Sequence, residues 1–436
     1  MRIKFLLLAV LISGAHMKAQ QTQRLTLEEA VNLALANSDA SKIADAKVNS
    51  TESQLNVTKN LQYPDVDISG QYRYLTGADV KLKTQSSDST GQGTAQPDVK
   101  NLFLGQANIS MPIFSGFKLK NTIKAGKNQL RAAQYSAKND KEQLAMQTIQ
   151  DYLNLYKAAK TIELVQENLK SAQQRVKDFS NMEENGLLAR NDLLKAKLQQ
   201  ATIEISLEEA KKNERILNYT LSVLLKLPEN TIVETVNTDF GKTTGIISSE
   251  ISRNDLQALE FQKEAAKEQI KVAKSNYYPS LALVGGYMAL DLDNLVTVTN
   301  AMNIGIGVSY NLSNLFKTKS DVKLAKSKVQ ELEYTTNMTL DKIKVQVENA
   351  KQEYELSQKK FEVYTQSEEQ ATENYRIVKD KYDNGLIDTN DLLEADVQQL
   401  QAKIDLAYAK ANITQKYYEL LTAEGVLTDQ FTQNNQ

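Results

Sequence analysis

The chain has 436 residues, with 52 Lys and Arg against 54 Asp and Glu, one His, no Cys and no Trp. Without cysteine there are no disulfides, thiolate metal sites or cysteine nucleophiles, and the single histidine, His16, lies in a segment expected to be removed. The remaining chain has neither an imidazole base nor a nitrogen or sulfur zinc ligand, so no metal, cofactor or enzymatic activity is expected, and its near-neutral charge gives no reason to expect nucleic acid.

At the N-terminus, Arg2 and Lys4 precede the apolar run Phe5–Ile12, followed by Ser13, Gly14 and Ala15. This pattern reads as a secretory signal peptide over residues 1–19, with a buried N-terminal helix as the alternative. Eight apolar residues are too few to cross a bilayer as a helix, and no later stretch reaches 18 uninterrupted apolar residues. No cysteine follows the signal, so no lipid anchor is expected there.

After an initial helical segment, Val66, Ile68, Gly70, Tyr72 and Tyr74 alternate with Asp65, Asp67, Ser69, Gln71 and Arg73. This strand, 64–74, is expected to pair with a second at 101–113 across a polar loop from Thr76 to Lys100. Long helices follow at 118–184 and 191–226, because these tracts are rich in Ala, Gln, Glu, Lys and Leu and almost free of Gly and Pro. The first would be a rod of roughly 100 Å at 1.5 Å per residue, a length that survives only in coiled-coil-like packing. Residues 20–227 make the first repeat and 228–252 a linker. A second repeat, 253–424, opens with a helix and carries strands at 279–289 and 301–312 and long helices at 317–383 and 390–422. Residues 425–436 are expected as a polar tail.

The duplication is visible in the text itself. Asn185-Gly-Leu-Leu-Ala-Arg-Asn-Asp-Leu-Leu matches Asn384-Gly-Leu-Ile-Asp-Thr-Asn-Asp-Leu-Leu, 199 residues later, and Phe117-Lys118 matches Phe316-Lys317 at the same offset. Alternation with one fully apolar face suits a soluble hairpin over a core as well as a transmembrane β-strand. The signal peptide decides for the membrane, as do aromatics at the strand ends (Tyr63, Tyr74, Phe114, Phe117, Tyr277, Tyr278, Tyr310 and Phe316). Four strands cannot close a barrel and lipid tolerates no open edge, so the chain must oligomerise. Three copies would supply twelve strands.

In order and spacing, these features resemble the TolC family of bacterial outer-membrane efflux and secretion channels over essentially the whole mature chain. The resemblance implies a mainly α fold with a membrane β-barrel. It implies a homotrimer whose twelve-stranded barrel, set in outer-membrane lipid, continues into a periplasmic α-helical barrel, with 228–252 and the tail in a belt around it. The function implied is export of small molecules or proteins, with a periplasmic adaptor and an inner-membrane pump of resistance–nodulation–division or ABC type as partners. The cargo is not specified.

The resemblance also assigns residues. The pore constriction falls on Asp391 and Glu394, whose i, i+3 spacing puts both on one helix side. A latch tyrosine matches Tyr382, with hydrogen-bond partners at Asn191 and Asp192. A family arginine is replaced by Ile387, and whether Arg190 substitutes for it is open. The turns Asn185-Gly186-Leu187 and Asn384-Gly385-Leu386 match the tips that an adaptor grips, although Leu187 and Leu386 also suit turn packing. Asn191, Asp192 and Asp391 equally suit helix capping and the helix macrodipole. The competing reading of the whole chain is a secreted or periplasmic coiled-coil scaffold or adaptor without a pore.

Overall fold

The computed structural model describes residues 22–76, 99–236, 253–293 and 295–432. The expected signal peptide, nearly all of the loop between Thr76 and Lys100, and much of 228–252 lie outside them. In chain order the strands are β1 (Thr22–Leu25), β2 (Asp65–Tyr74), β3 (Asn101–Ser115), β4 (Ile232–Thr235), β5 (Ser280–Leu292) and β6 (Val296–Ser309). The helices are α1 (Leu27–Asn37), α2 (Asp39–Asn60), α3 (Lys118–Glu184), α4 (Arg190–Leu225), α5 (Asn254–Lys274), α6 (Asn314–Asp383), α7 (Thr389–Glu424) and α8 (Leu427–Thr432). The described residues form two compact units, one drawn from 22–46, 135–236, 253–256 and 338–432 and the other from 47–76, 99–134, 257–293 and 295–337.

The second unit holds a four-stranded antiparallel sheet in the order β2-β3-β5-β6. Its register puts Val66 opposite Ile109, Ile109 opposite Gly285 and Gly285 opposite Ile304, and likewise Ile68, Ala107, Tyr287 and Met302 in the next row. This face is apolar along these rows and turns polar only toward the loop end, where Phe103 stands opposite Asp291 and Asp291 opposite Thr297. Its side chains are open to the surroundings: Ile68 is 81% exposed, Met302 79% and Ile304 82%. The opposite face carries Asp65, Asp67, Ser69, Gln71 and Arg73 from β2 and Gln106, Asn108 and Ser110 from β3. Leu104, Val284, Met288 and Leu290 share that second face, so its polar groups come chiefly from β2 and β3, with Asn303 from β6. An exposed apolar outside backed by polar groups is the pattern of a membrane barrel wall, not of a sheet over a core. The outer edges of β2 and β6 have no strand partner among the described residues.

The first unit buries the main core. Leu144, Ile149, Tyr152, Leu153 and Leu155 of α3 pack with Val31 of α1, Leu221 and Leu225 of α4, Leu420 and Leu421 of α7 and Leu427 of α8. Two elements here were not expected from the sequence. β1 pairs in parallel with β4, and the Tyr152 hydroxyl ties the pair to α3, donating to Leu25 O at 2.7 Å and accepting from Val236 N at 2.9 Å. Burial pushes that phenol up to about 12. The second is α8, where a polar tail was expected. Leu427 and Phe431 recur at i, i+4 and are buried against the core, so an apolar stripe inside a polar stretch folds it back.

α3 and α6 are 67 and 70 residues long, about 100 Å each at the helical rise. Side chains, not the backbone, keep such helices apart from solvent. Val165, Ala172, Ile203 and Leu207 make one buried seam, with Ile162, Leu169, Leu400 and Ile404 packed on it. Phe179, Leu193, Ala196 and Leu392 make a second nearer the helix ends.

Candidate functional site

The two repeat turns are built alike. Gly186 and Gly385 both sit at φ +70°, with open space where a Cβ would stand, so the backbone angle and not crowding calls for glycine. Leu187 N donates to Met182 O at 2.8 Å and Gly186 N to Glu183 O at 2.9 Å. Leu386 N donates to Lys381 O and Gly385 N to Tyr382 O, both at 2.9 Å. This 6→1 and 5→2 pair is a Schellman cap. Asn185 Nδ2 donates to Asn181 O at 2.6 Å and Asn384 Nδ2 to Asp380 O at 2.7 Å, a second bond to carbonyls that the backbone N of each asparagine reaches at 3.3 Å. With the backbone satisfied internally, Leu187 and Leu386 are left 73% and 72% exposed. Neither packs its own turn.

The following helices start differently. Asp388 caps α7, accepting from Asn390 N at 2.7 Å and Asp391 N at 3.2 Å, whereas Ala189 at the start of α4 makes no side-chain cap. The capping alternative for Asn191, Asp192 and Asp391 is thereby corrected, since the helices begin before these residues and all three lie in first turns. Asp192 pairs instead with Lys195 at 3.3 Å. Asp391 and Glu394 are both exposed on α7, and Glu394 accepts from Gln398 at 3.1 Å. Arg190 and Asn191 are exposed and Ile387 is half-buried.

Tyr382 lies at the centre of this region. Its ring stacks on Phe179 at 5.6 Å, and its hydroxyl pairs with Thr389 Oγ1 at 3.4 Å, across its own turn, rather than with Asn191 or Asp192. Burial is the main cause that raises the phenol, and the nearby Asp192 carboxylate adds to it. One tie between the repeats was not foreseen. Arg175 of α3 donates to Asp396 of α7 at 3.1 Å and to the Tyr375 hydroxyl of α6 at 3.4 Å, with Arg175 8% and Asp396 3% exposed. The pair is 221 residues apart in sequence, and no local spacing points to it.

A sequence model for outer membrane efflux proteins matches residues 30–225 and 247–426, both repeats and most of the chain. The chain belongs to the outer membrane efflux protein family. Outer membrane efflux protein BepC of Brucella suis is 21% identical over 427 residues, covering 96% of this chain and 90% of its own. The CmeC outer membrane channel of Campylobacter jejuni superposes with a TM-score of 0.78 at 22% identity, over 94% of this chain and 88% of CmeC. The outer membrane protein VceC of Vibrio cholerae gives 0.76 at 18%, over 92% and 96%. This efflux protein therefore has the fold of the outer-membrane channels and is placed in the outer membrane, extending into the periplasm. The pore-less scaffold is not favoured, and members of the family are channels, not enzymes.

Proposed function

We propose that this outer-membrane export channel works as a homotrimer whose narrowest point is a ring of Asp391 and Glu394. The observation that carries the trimer is the sheet. Its outward face is apolar and exposed while the edges of β2 and β6 stay unpaired, which lipid tolerates only if neighbouring copies complete the wall. An exposed stripe on α4 supports the same assembly. Leu194, Leu198, Ile205, Ile216, Tyr219 and Val223 are each at least half exposed, and at 3.6 residues per turn they fall within about 60° of arc.

Three copies would bring six carboxylates from Asp391 and Glu394 around one axis, an arrangement that attracts cations and repels anions. The stacking of Tyr382 of the second repeat on Phe179 of the first would hold the helix ends inward. The exposed leucines of the two caps, with Asn185, Gly186, Asn384 and Gly385 shaping the turns, offer an apolar grip to the hairpin tips of a periplasmic adaptor. That adaptor would join the channel to an inner-membrane pump of resistance–nodulation–division or ABC type. The segmentation that goes with this reading makes 20–227 and 253–424 equivalent repeats, each supplying two strands and one helical hairpin.

Planar bilayers test the ring. Wild-type protein should give cation-selective steps, blocked by multivalent cations. Asp391→Ala with Glu394→Ala should lose most of that selectivity and block while assembling normally. Unchanged selectivity in an assembled double variant would remove both acids from the constriction.

A further inference from the structure

The chain leaves β3 through Gly116 and Phe117, which both hold positive φ, +62° and +64°. At Gly116 a Cβ would meet Ser275 O at 2.5 Å, so glycine is required there. Phe117 is not glycine, and a bulky side chain in the left-handed region is strained. What the strain achieves is placement. The Phe117 ring meets Phe114 edge-on at 5.2 Å and Tyr278 at 6.4 Å, and all three stand at the helix-proximal end of the sheet. Phe114 pairs with Leu281, which pairs with Val308, so the aromatics continue the apolar, membrane-facing side.

Phe117 and Tyr278 also line a pocket of about 270 Å³, together with Gly116, Asn121, Ser275 and four lysines: Lys120, Lys124, Lys271 and Lys274. Lys271 is paired with Glu268 at 2.6 Å, while Lys120, Lys124 and Lys274 make no ion pair among the described residues. Lys271 and Lys274 end α5, where the helix dipole favours cations. Lys120 lies in the first turn of α3, where the dipole disfavours a cation, Lys124 lies one turn further on the same face, and α3 has no acid in its first turn. The lysine pattern is repeated 199 residues later. Lys118, Lys120, Lys124 and Lys127 match Lys317, Lys319, Lys323 and Lys326 at the start of α6. The repeated lysines do not serve the helix dipole, which acts only within a terminal turn, so helix stability does not explain them.

We propose that this pocket binds the phosphate of an anionic phospholipid headgroup in the periplasmic leaflet of the outer membrane. The aromatic rim sits at the interface, the acyl chains lie along the apolar face of the sheet, and the three unpaired ammonium groups converge on the phosphate. The matching lysines of α6 extend the band of positive charge around the base of the barrel wall. The proposal goes beyond conduction and gating, and uses no residue assigned to either.

The test offers full-length protein in detergent an equimolar mixture of phosphatidylglycerol and phosphatidylethanolamine, and counts retained lipid by native mass spectrometry. Wild type should retain phosphatidylglycerol in preference by at least about tenfold, each lysine near an anionic surface being worth roughly fivefold. Lys120→Gln, Lys124→Gln and Lys274→Gln combined should abolish the preference, and the corresponding triple Arg variant should keep it. Lys170→Gln, Lys177→Gln and Lys212→Gln combined, which remove three lysines elsewhere, should leave it intact. Equal retention of both lipids by wild type overturns the proposal whether or not the Gln variant folds. Loss of the preference in the control triple overturns it too, because charge alone then explains the binding. Displacement of phosphatidylglycerol by a large excess of inorganic phosphate would assign the pocket to the free ion and overturn the lipid assignment.

Discussion

At the residue scale, the least replaceable contacts join the two repeats. Arg175 and Asp396 are both buried and face one another from α3 and α7, with Tyr375 as a further partner of the guanidinium. Truncating Arg175 to Ala leaves a carboxylate without its counter-charge in a dry seam, a loss of about 3–5 kcal/mol. Denaturant unfolding should show it, and replacing both partners by Met and Leu should recover most of it. An unchanged unfolding curve for the Ala variant would show the pair to be immaterial. Glu142 behaves in the opposite sense. It is 4% exposed, its Oε1 has no hydrogen-bond partner, and burial raises its carboxyl above the ordinary range, an effect that Asn254 at 3.4 Å only partly offsets. A carboxyl raised in the folded state contributes stability below its unfolded value and loses it as pH rises through the folded value. Glu142→Gln should therefore gain in melting temperature over wild type as pH increases from about 4 to about 8. A difference independent of pH would contradict that account. Neither contact is legible in the sequence, because a buried ion pair 221 residues apart and a buried carboxylate leave no periodic trace.

At the scale of elements, the sequence and the structure agree where one physical signal dominates. α3 and α6 follow tracts that lack Pro and nearly lack Gly, and their ends are marked by the glycines that take positive φ. β2 follows its alternation residue by residue. β5 is harder to read, because its outward face holds Gly285, where an added Cβ would meet Ile109 Cγ2 of β3 at 3.1 Å, and this breaks the run of large apolar residues. β1 and β4 have four residues each, too few for a period to show, and their ties are distant in sequence: Arg24 to Glu234 at 2.8 Å and the Tyr152 hydroxyl to their backbone. The helices after the turns start at Arg190 and Thr389, one residue before the expected 191 and 390. Asp388, not Asp391, caps α7, because the Schellman turn hands the chain over within three residues. The stripe on α4 carries a prediction of its own. Leu198→Glu with Ile205→Glu puts charges on an apolar face that is 70% and 63% exposed at those positions in the single chain, so the chain should still form its helices. The assembled species in detergent should fall to single chains. Normal assembly of the double variant would take the stripe out of the interface.

At the scale of the whole molecule, duplication explains why one chain carries two strand pairs and two helical hairpins, each pair ending in the same cap. Membership of the outer membrane efflux protein family covers both copies, at residues 30–225 and 247–426. The sheet of one chain has its apolar side outward and two edges without partners, which is half a solution to the problem of standing in lipid. Further copies supply the other half. Light scattering corrected for bound detergent measures this directly. The account predicts a single species with the mass of three chains, and a monodisperse single chain that retains its β-structure would contradict it.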